Sequence, residues 1–366
     1  MRTRLLLTLT TLALLLAGCG QAAPTSAPTT APAAVATSAP AAVDLSGIKD
    51  YLLGQTAALT AATRELKAAS DRYYALAEGA SFDYAALWEG QQEAVIATIE
   101  AAREAWMIAS PAYEKMEGIV AGTPSLARFD VDLDAGAAAA DDPEGAVSFD
   151  ITLPDGRVLE KPGNLFGVTE STLWGTDPAF ASGVAADWND DGTVSFGEAL
   201  PDANVLKGGV DLLDSMANEL AAAGEAWTPT ESDAFTALVV MVPTMSEYFG
   251  SWKDSRFVAG DASTQRDFVA ISRLADIQDI LGGLELVYAQ VRPRVETVDS
   301  AQAEQIATDL SALKGFVADV YAQEQGGRRF TPEEADTLGA EAQNRATAIT
   351  GQISQMAGAL GVTIAE

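Results

Sequence analysis

From Leu45 onward the apolar positions fall at 45, 48, 52, 59, 66, 73 and 76, with Ala62 and Ala69 filling the gaps. Spacing of three and four held over about nine turns predicts one face of a long helix packed in a bundle. A second helix is expected from about Tyr84 to Val120. Ile306, Leu310, Leu313, Val317 and Val320 form a further stripe, and Leu338, Ala342, Ile349, Ile353, Met356 and Leu360 another. Start signals agree with the stripes. Thr331-Pro332-Glu333-Glu334 offers a capping Thr, Pro at the first helical position and Glu three residues after the cap. Thr228-Pro229-Thr230-Glu231 repeats that grammar, so Thr228 is the expected cap there, and Asp299 with Gln302 is a weaker version.

Two stretches break the helical period. Residues 147–160 alternate apolar and polar around Pro154-Asp155-Gly156, the pattern of a β-hairpin. The acidic, Ala-rich segment 129–146 before it reads as a loop, and 176–202 is irregular and rich in Asp and Gly. The predicted fold class is therefore all-α: a multi-helix up-and-down bundle over 44–366. Its insertion, about 129–202, carries the hairpin and a calcium-binding loop. No clean internal repeat is visible.

Composition narrows the chemistry. The chain has 366 residues, 22 Lys+Arg against 52 Asp+Glu, a net charge of −30, one Cys and no His. Without His there is no Ser-His-Asp or Cys-His nucleophile and no His-ligated zinc or iron. So acidic a surface argues against a nucleic-acid partner and favours cations or basic surfaces. No spacing among the carboxylates singles out an acid/base pair, so no enzyme is expected.

The beginning of the chain reads as an address. Arg2 and Arg4 precede an apolar run from Leu5 to Leu16, too short to span a bilayer, and residues 1–18 form a secretory signal. Leu16-Ala17-Gly18-Cys19 resembles the lipobox of bacterial lipoproteins, which implies lipidation of Cys19 and an extracytoplasmic, membrane-anchored chain. Residues 19–43, mostly Ala, Pro and Thr, form a tether without a core.

The sharpest chemical pattern lies at 187–198. Asp187, Asn189, Asp191, Ser195 and Glu198 place side-chain oxygens at positions 1, 3, 5, 9 and 12 of the segment. Gly192 stands at position 6 and Thr193 offers its carbonyl at position 7. This resembles the EF-hand loop, whose hard oxygen ligands wrap one Ca²⁺. Gly175, Asp177, Pro178 and Pro201 interrupt the flanks, so the loop is expected to pin structure rather than open as a sensor. Asp130, Asp132 and Asp134 form another acidic group. Ala135 replaces the Gly that such a loop needs and Asp141 stands at its last position, so a solvated loop is the expectation there.

Three scattered patches carry a family resemblance. Residues 102–117 look like the imelysin-like helix with a Tyr-Glu-x-x-Glu pattern, here Tyr113, Glu114 and Glu117. Residues 170–175, Glu-Ser-Thr-Leu-Trp-Gly, resemble the tail of that family's Gly-x-His-x-x-Glu signature. Residues 274–293 and 330–360 resemble the closing helices of its Efe-type iron-uptake members. The resemblance implies iron binding outside the cytoplasm and hand-over to an iron permease. It departs at the signature itself: Leu165 occupies the first Gly position and Gly167 the His position, and only Glu170 survives. Glu114, Glu117 and Glu170 remain candidate oxygen ligands for Fe³⁺. On pattern alone Glu114 and Glu117 belong to an exposed helix face, and Trp174 to the core. The alternative reading is a structural or interaction module that has lost the family's metal site and uses calcium only to fix a loop.

Overall fold

The computed structural model describes residues 43–365. The signal at 1–18, the lipidation position Cys19 and the tether up to residue 42 lie outside the described residues.

The first stripe forms α1, Ser46–Gly79, and the second α2, Tyr84–Val120. Leu52, Leu59, Leu66 and Tyr73 of α1 are all at or below 1% exposure. Their seven-residue spacing is the period of helices that pack knobs into holes. Burying such side chains contributes about 1.5–3 kcal/mol each. A short turn, Ala80–Asp83, folds α2 back along α1, and Asp83 caps α2 by accepting from Ala86 N at 3.0 Å.

The segment after α2 departs from the loop expected at 129–146. It begins as α3, Ala127–Asp130, and continues as one π-helical turn, Val131–Ala135. Close packing holds that turn. A Cβ on Gly136 would meet Val131 O at 2.3 Å and Val147 Cγ1 at 2.6 Å, so only glycine lets the chain leave there. The hairpin forms where predicted, with β1, Ile151–Thr152, antiparallel to β2, Val158–Leu159, and Gly156 at φ +88° in the turn. It rests on α5, Ala203–Ala226, at Gly208, where a Cβ would meet Leu153 Cδ2 at 2.8 Å.

Between hairpin and α5 the chain forms α4, Leu165–Trp174, capped by Asn164 and ended by Gly175 at φ +69°. A two-stranded ribbon, β3 (Ala181–Ala185) with β4 (Ala199–Pro201), then brackets the acidic loop 187–198. The remaining helices are α6 (Glu231–Met241), α7 (Met245–Asp254), α8 (Arg273–Glu296), α9 (Ser300–Gln325) and α10 (Pro332–Leu360). Thr331 caps α10 in a reciprocal box with Glu334, and Asp299 caps α9, as their sequences predict. The α6 cap is Thr230 with Asp233, two residues beyond the expected Thr228. Asp233 supplies the returning carboxylate that makes the later start closed.

The fold is all-α, and its β-structure among the described residues is confined to two small two-stranded sheets and two isolated bridges, Ala137 with Ala146 and Ala138 with Pro162. Helix α2 packs on α1 and α8, α8 on α9, and α4 on α5. No described helix is long and apolar enough to cross a membrane.

A buried acidic cluster as candidate metal centre

The last turns of α2 bring Tyr113, Glu114 and Glu117 to one side, since residues three and four apart share a helix face. That side is the interior. Glu114 and Glu117 are each 2% exposed, which overturns the exposed-face expectation. The end of α3 supplies Asp130 and the π turn supplies Asp134, which are also buried. These aspartates do not form a solvated loop. The extra residue of a π turn reorients the side chains that follow, a device concentrated at functional sites. Asp132 is buried as well, but apart from the group around Arg273.

Helix α8 closes the group from the opposite side. Arg273 and Asp276 occupy its first turn and are buried. A guanidinium in a first turn opposes the helix dipole, and its carboxylate neighbours outweigh that. It donates to Glu114 at 3.2 and 3.3 Å, to Asp276 at 3.2 Å and to Asp134 at 3.4 Å. Phe268 and Tyr248 flank its plane at 4.0 and 4.7 Å. Two phenols complete the shell. Tyr248 of α7 donates to Glu117 Oε1 at 2.6 Å, and Tyr113 to Asp130 Oδ1 at 2.7 Å.

Glu117 Oε2 is left over: it is buried and has no partner. Its residue belongs to the group Glu114, Glu117 and Asp134, each of which offers one carboxylate oxygen within 4.8 Å of the others. Glu117, Asp130, Asp134, Tyr248 and Arg273 also line a cavity of about 610 Å³.

Five buried carboxylates, Glu114, Glu117, Asp130, Asp134 and Asp276, thus share this region with one guanidinium, which contacts three of them. Buried charge needs compensation, and one cation cannot balance five anions. Burial is the leading cause that raises Glu114, Asp130, Asp134 and Asp276, and like charge adds to it. Glu114 and Asp130 lie far above the usual carboxylate range, Asp134 is pushed up to about 7 and Asp276 to about 6. Either protons or a multivalent cation can supply the missing positive charge.

Glu170 stands apart. It is buried, but its two oxygens accept three backbone N–H groups, from Phe268 at 2.7 Å, Val269 at 2.9 Å and Ala270 at 2.8 Å. Burial still raises it to about 8 against those bonds. It fixes the strand of chain that leads into Arg273 and is not brought together with Glu114 and Glu117. Gly167 lines the cavity, and a Cβ on it would meet Asp267 Oδ2 at 2.8 Å and Asn164 Oδ1 at 3.0 Å. Asp267 therefore takes up space beside the position where the signature has His.

The acidic loop is a separate place. Asp187 accepts from Asp191 N at 3.2 Å and Gly192 N at 2.7 Å, Asn189 from Asp191 N at 2.9 Å, and Asp191 from Thr193 N at 2.8 Å. Glu198 turns inward at 9% exposure and accepts from Ser195 N at 2.6 Å and Trp188 N at 3.3 Å. Gly192 sits at φ +82°, as the sharp turn requires. Arg103 of α2 ties the loop down. It donates to Gly197 O and to Leu173 O, and lies 4.4 Å from the Trp188 ring. Trp174 packs edge-on against Trp106 at 5.2 Å, as a half-buried core residue.

Comparison with known proteins follows this geometry. The family model described as Imelysin, Peptidase M75, matches residues 47–356. The chain belongs to the imelysin family. The matched span runs from the start of α1 nearly to the end of α10 and includes every residue of the acidic cluster. Among solved structures, this imelysin-family chain is similar to a crystal structure of a protein named as an iron-regulated protein A precursor from Parabacteroides distasonis. Identity is 13% and the TM-score 0.45, over 87% of this chain and 96% of that one. No curated protein sequence matches it.

Asp134 belongs to the acidic group 130–134 that the sequence picks out, whereas the sequence does not single out Arg273, Asp276 or Tyr248. Arg273 and Asp276 did leave a trace: two charges three apart on the apolar side of α8, among Leu274, Ile277, Ile280 and Leu281. Tyr248 left none.

Proposed function

We propose that this imelysin-family chain captures a hard multivalent cation at Glu114, Glu117 and Asp134, and that Fe³⁺ is its cargo. The observation that carries the reading is Glu117: one of its carboxylate oxygens is buried with no partner, and the residue offers a ligand oxygen within 4.8 Å of one from each of Glu114 and Asp134. An all-oxygen, anionic donor set suits Fe³⁺, Mn²⁺ or Mg²⁺ rather than soft metals. Arg273 supports the set from behind, holding Glu114 and Asp134 in place. The family resemblance favours iron among the hard ions and an iron permease as the partner. The function is binding, not catalysis, although the family carries a peptidase name: the chain has no His, and its only Cys lies at position 19.

Two further parts complete the reading. Cys19 anchors the chain by lipid on the outer side of the cell membrane. Ca²⁺ occupies the 187–198 loop through Asp187, Asn189, Asp191, Thr193, Ser195 and Glu198, and stiffens the ribbon of β3 and β4. Anchoring is checked by fractionation: Cys19→Ser releases the chain from membranes, and a wild type that stays soluble in its host contradicts it.

The second reading, a module whose metal site is lost, draws on one observation. The Arg273 guanidinium already contacts Glu114, Asp134 and Asp276. Titration with Fe³⁺ delivered as its nitrilotriacetate complex separates the two. The binding reading predicts saturation at one ion per chain and loss of most affinity in Glu117→Gln, a change that keeps an acceptor for Tyr248. Equal behaviour of wild type and variant supports the module.

A further inference from the structure

A second cavity, of about 720 Å³, shares the lining residue Gln265 with the first. Its walls include Phe196, Phe257, Val258 and Val269, and two guanidiniums, Arg256 and Arg329. We propose that this cavity binds a small monocarboxylate with an aromatic or apolar body, its carboxylate held between Arg256 and Arg329.

The argument begins with uncommitted donors. Arg256 is half-buried and lies 3.7 Å from the Phe196 ring and 5.8 Å from that of Phe257. Among the described residues, its side chain makes no hydrogen bond and no ion pair. Arg329 has one long bond, to Phe257 O at 3.5 Å, and no ion pair. Acids outnumber bases 52 to 22 in this chain, so a pair of arginines without a bridging carboxylate stands out. Burial, and then Arg329, press the Arg256 pKa down, while Asp261 acts the other way. Two like charges beside one cavity gain most from an anion that bridges them.

The same walls select the anion. Phe196 is 43% exposed, and with Phe257, Val258 and Val269 it offers an apolar surface. A volume of this order is that of small-molecule sites lined by apolar side chains with a few fixed polar groups. The guanidinium on the Phe196 face keeps its N–H edge free for bidentate contact with a planar carboxylate. Asp261 and Glu324 also line the cavity, and Trp252 Nε1 holds Glu324 Oε2 at 2.6 Å. Those two carboxylates repel a polyanion. A single carboxylate on an apolar body meets both conditions, and inorganic phosphate meets neither.

Calorimetric titration of the full chain with benzoate, benzyl alcohol and inorganic phosphate tests this. Benzoate is expected to saturate at one per chain, with the alcohol and phosphate weaker by about tenfold or more. Arg256→Gln should weaken benzoate by a similar factor at unchanged melting temperature. Arg329→Gln, at an exposed position, gives the same reading should the first variant fold poorly. No benzoate binding, benzoate binding unchanged in both variants, or phosphate binding as tight as benzoate would each overturn the proposal.

Discussion

Arg273 carries the most consequential set of contacts of any single side chain. Its positive charge is what allows Glu114, Asp134 and Asp276 to share one buried space. Removing one partner of a buried ionic group leaves the others uncompensated, at a cost of about 3–5 kcal/mol. Arg273→Ala should therefore lower the melting temperature by several degrees above neutral pH. Millimolar Mn²⁺ should restore part of the loss, because a divalent ion supplies the missing charge. A variant as stable as wild type in chelator would mean that the carboxylates hold protons and not Arg273. At this scale the sequence was least legible. Tyr113, Glu114 and Glu117 could be picked out, but a helix face with two glutamates looks solvated until its neighbours are known. Asp130 and Asp134 lie four apart, and nothing in their spacing announces a π turn.

At the scale of elements the long stripes were easy to read. α1 and α2 begin and end within a few residues of the positions their periodicity indicates, because a face of Leu and Ala every three or four residues has only one compact solution. The Thr331 cap was equally plain. The Thr228 start was not, since two threonines, Thr228 and Thr230, compete as caps and the closing carboxylate, Asp233, decides. The loop 187–198 is the element whose prediction is most specific. Asp187, Asp191 and Glu198 bring three negative charges into one short segment, and a bound Ca²⁺, as proposed, would convert their repulsion into attraction. A ligand of the folded state at a hundredfold excess over Kd stabilises it by about 2.7 kcal/mol, a shift of a few degrees for a domain of this size. Glu198→Gln should remove most of the calcium-dependent shift, and Asp190→Asn, at a non-ligand position, should not. Identical melting curves in chelator and in millimolar calcium would count against the loop as a site.

Across the whole molecule the buried acids set a pH dependence. Glu170 is raised to about 8, Asp134 to about 7 and Asp276 to about 6. In the unfolded chain all three return to ordinary values near 4. A carboxyl group with a raised folded pKa favours folding while protonated. Its contribution is complete below the unfolded value and is lost as pH rises through the folded one. In chelator, stability should therefore fall between about pH 4 and pH 8, and the fall should be smaller with a bound multivalent cation. Scanning calorimetry at pH 5, 7 and 9 checks the sign; a protein that gains stability over that range would contradict it. The acidic composition points to a cation as the class of partner, as proposed, but does not point to the place. Most of the 52 carboxylates are solvated, and only the packing of α2, the π turn and α8 shows which are not.

The account rests on a cation between Glu114, Glu117 and Asp134. An anomalous-difference map from crystals grown with Mn²⁺ or Fe³⁺ tests it most directly. The account predicts one strong peak within coordination distance of oxygens from all three residues, absent in Glu117→Gln. A map with no peak there, and the Arg273 guanidinium still seated among Glu114, Asp134 and Asp276, would contradict it.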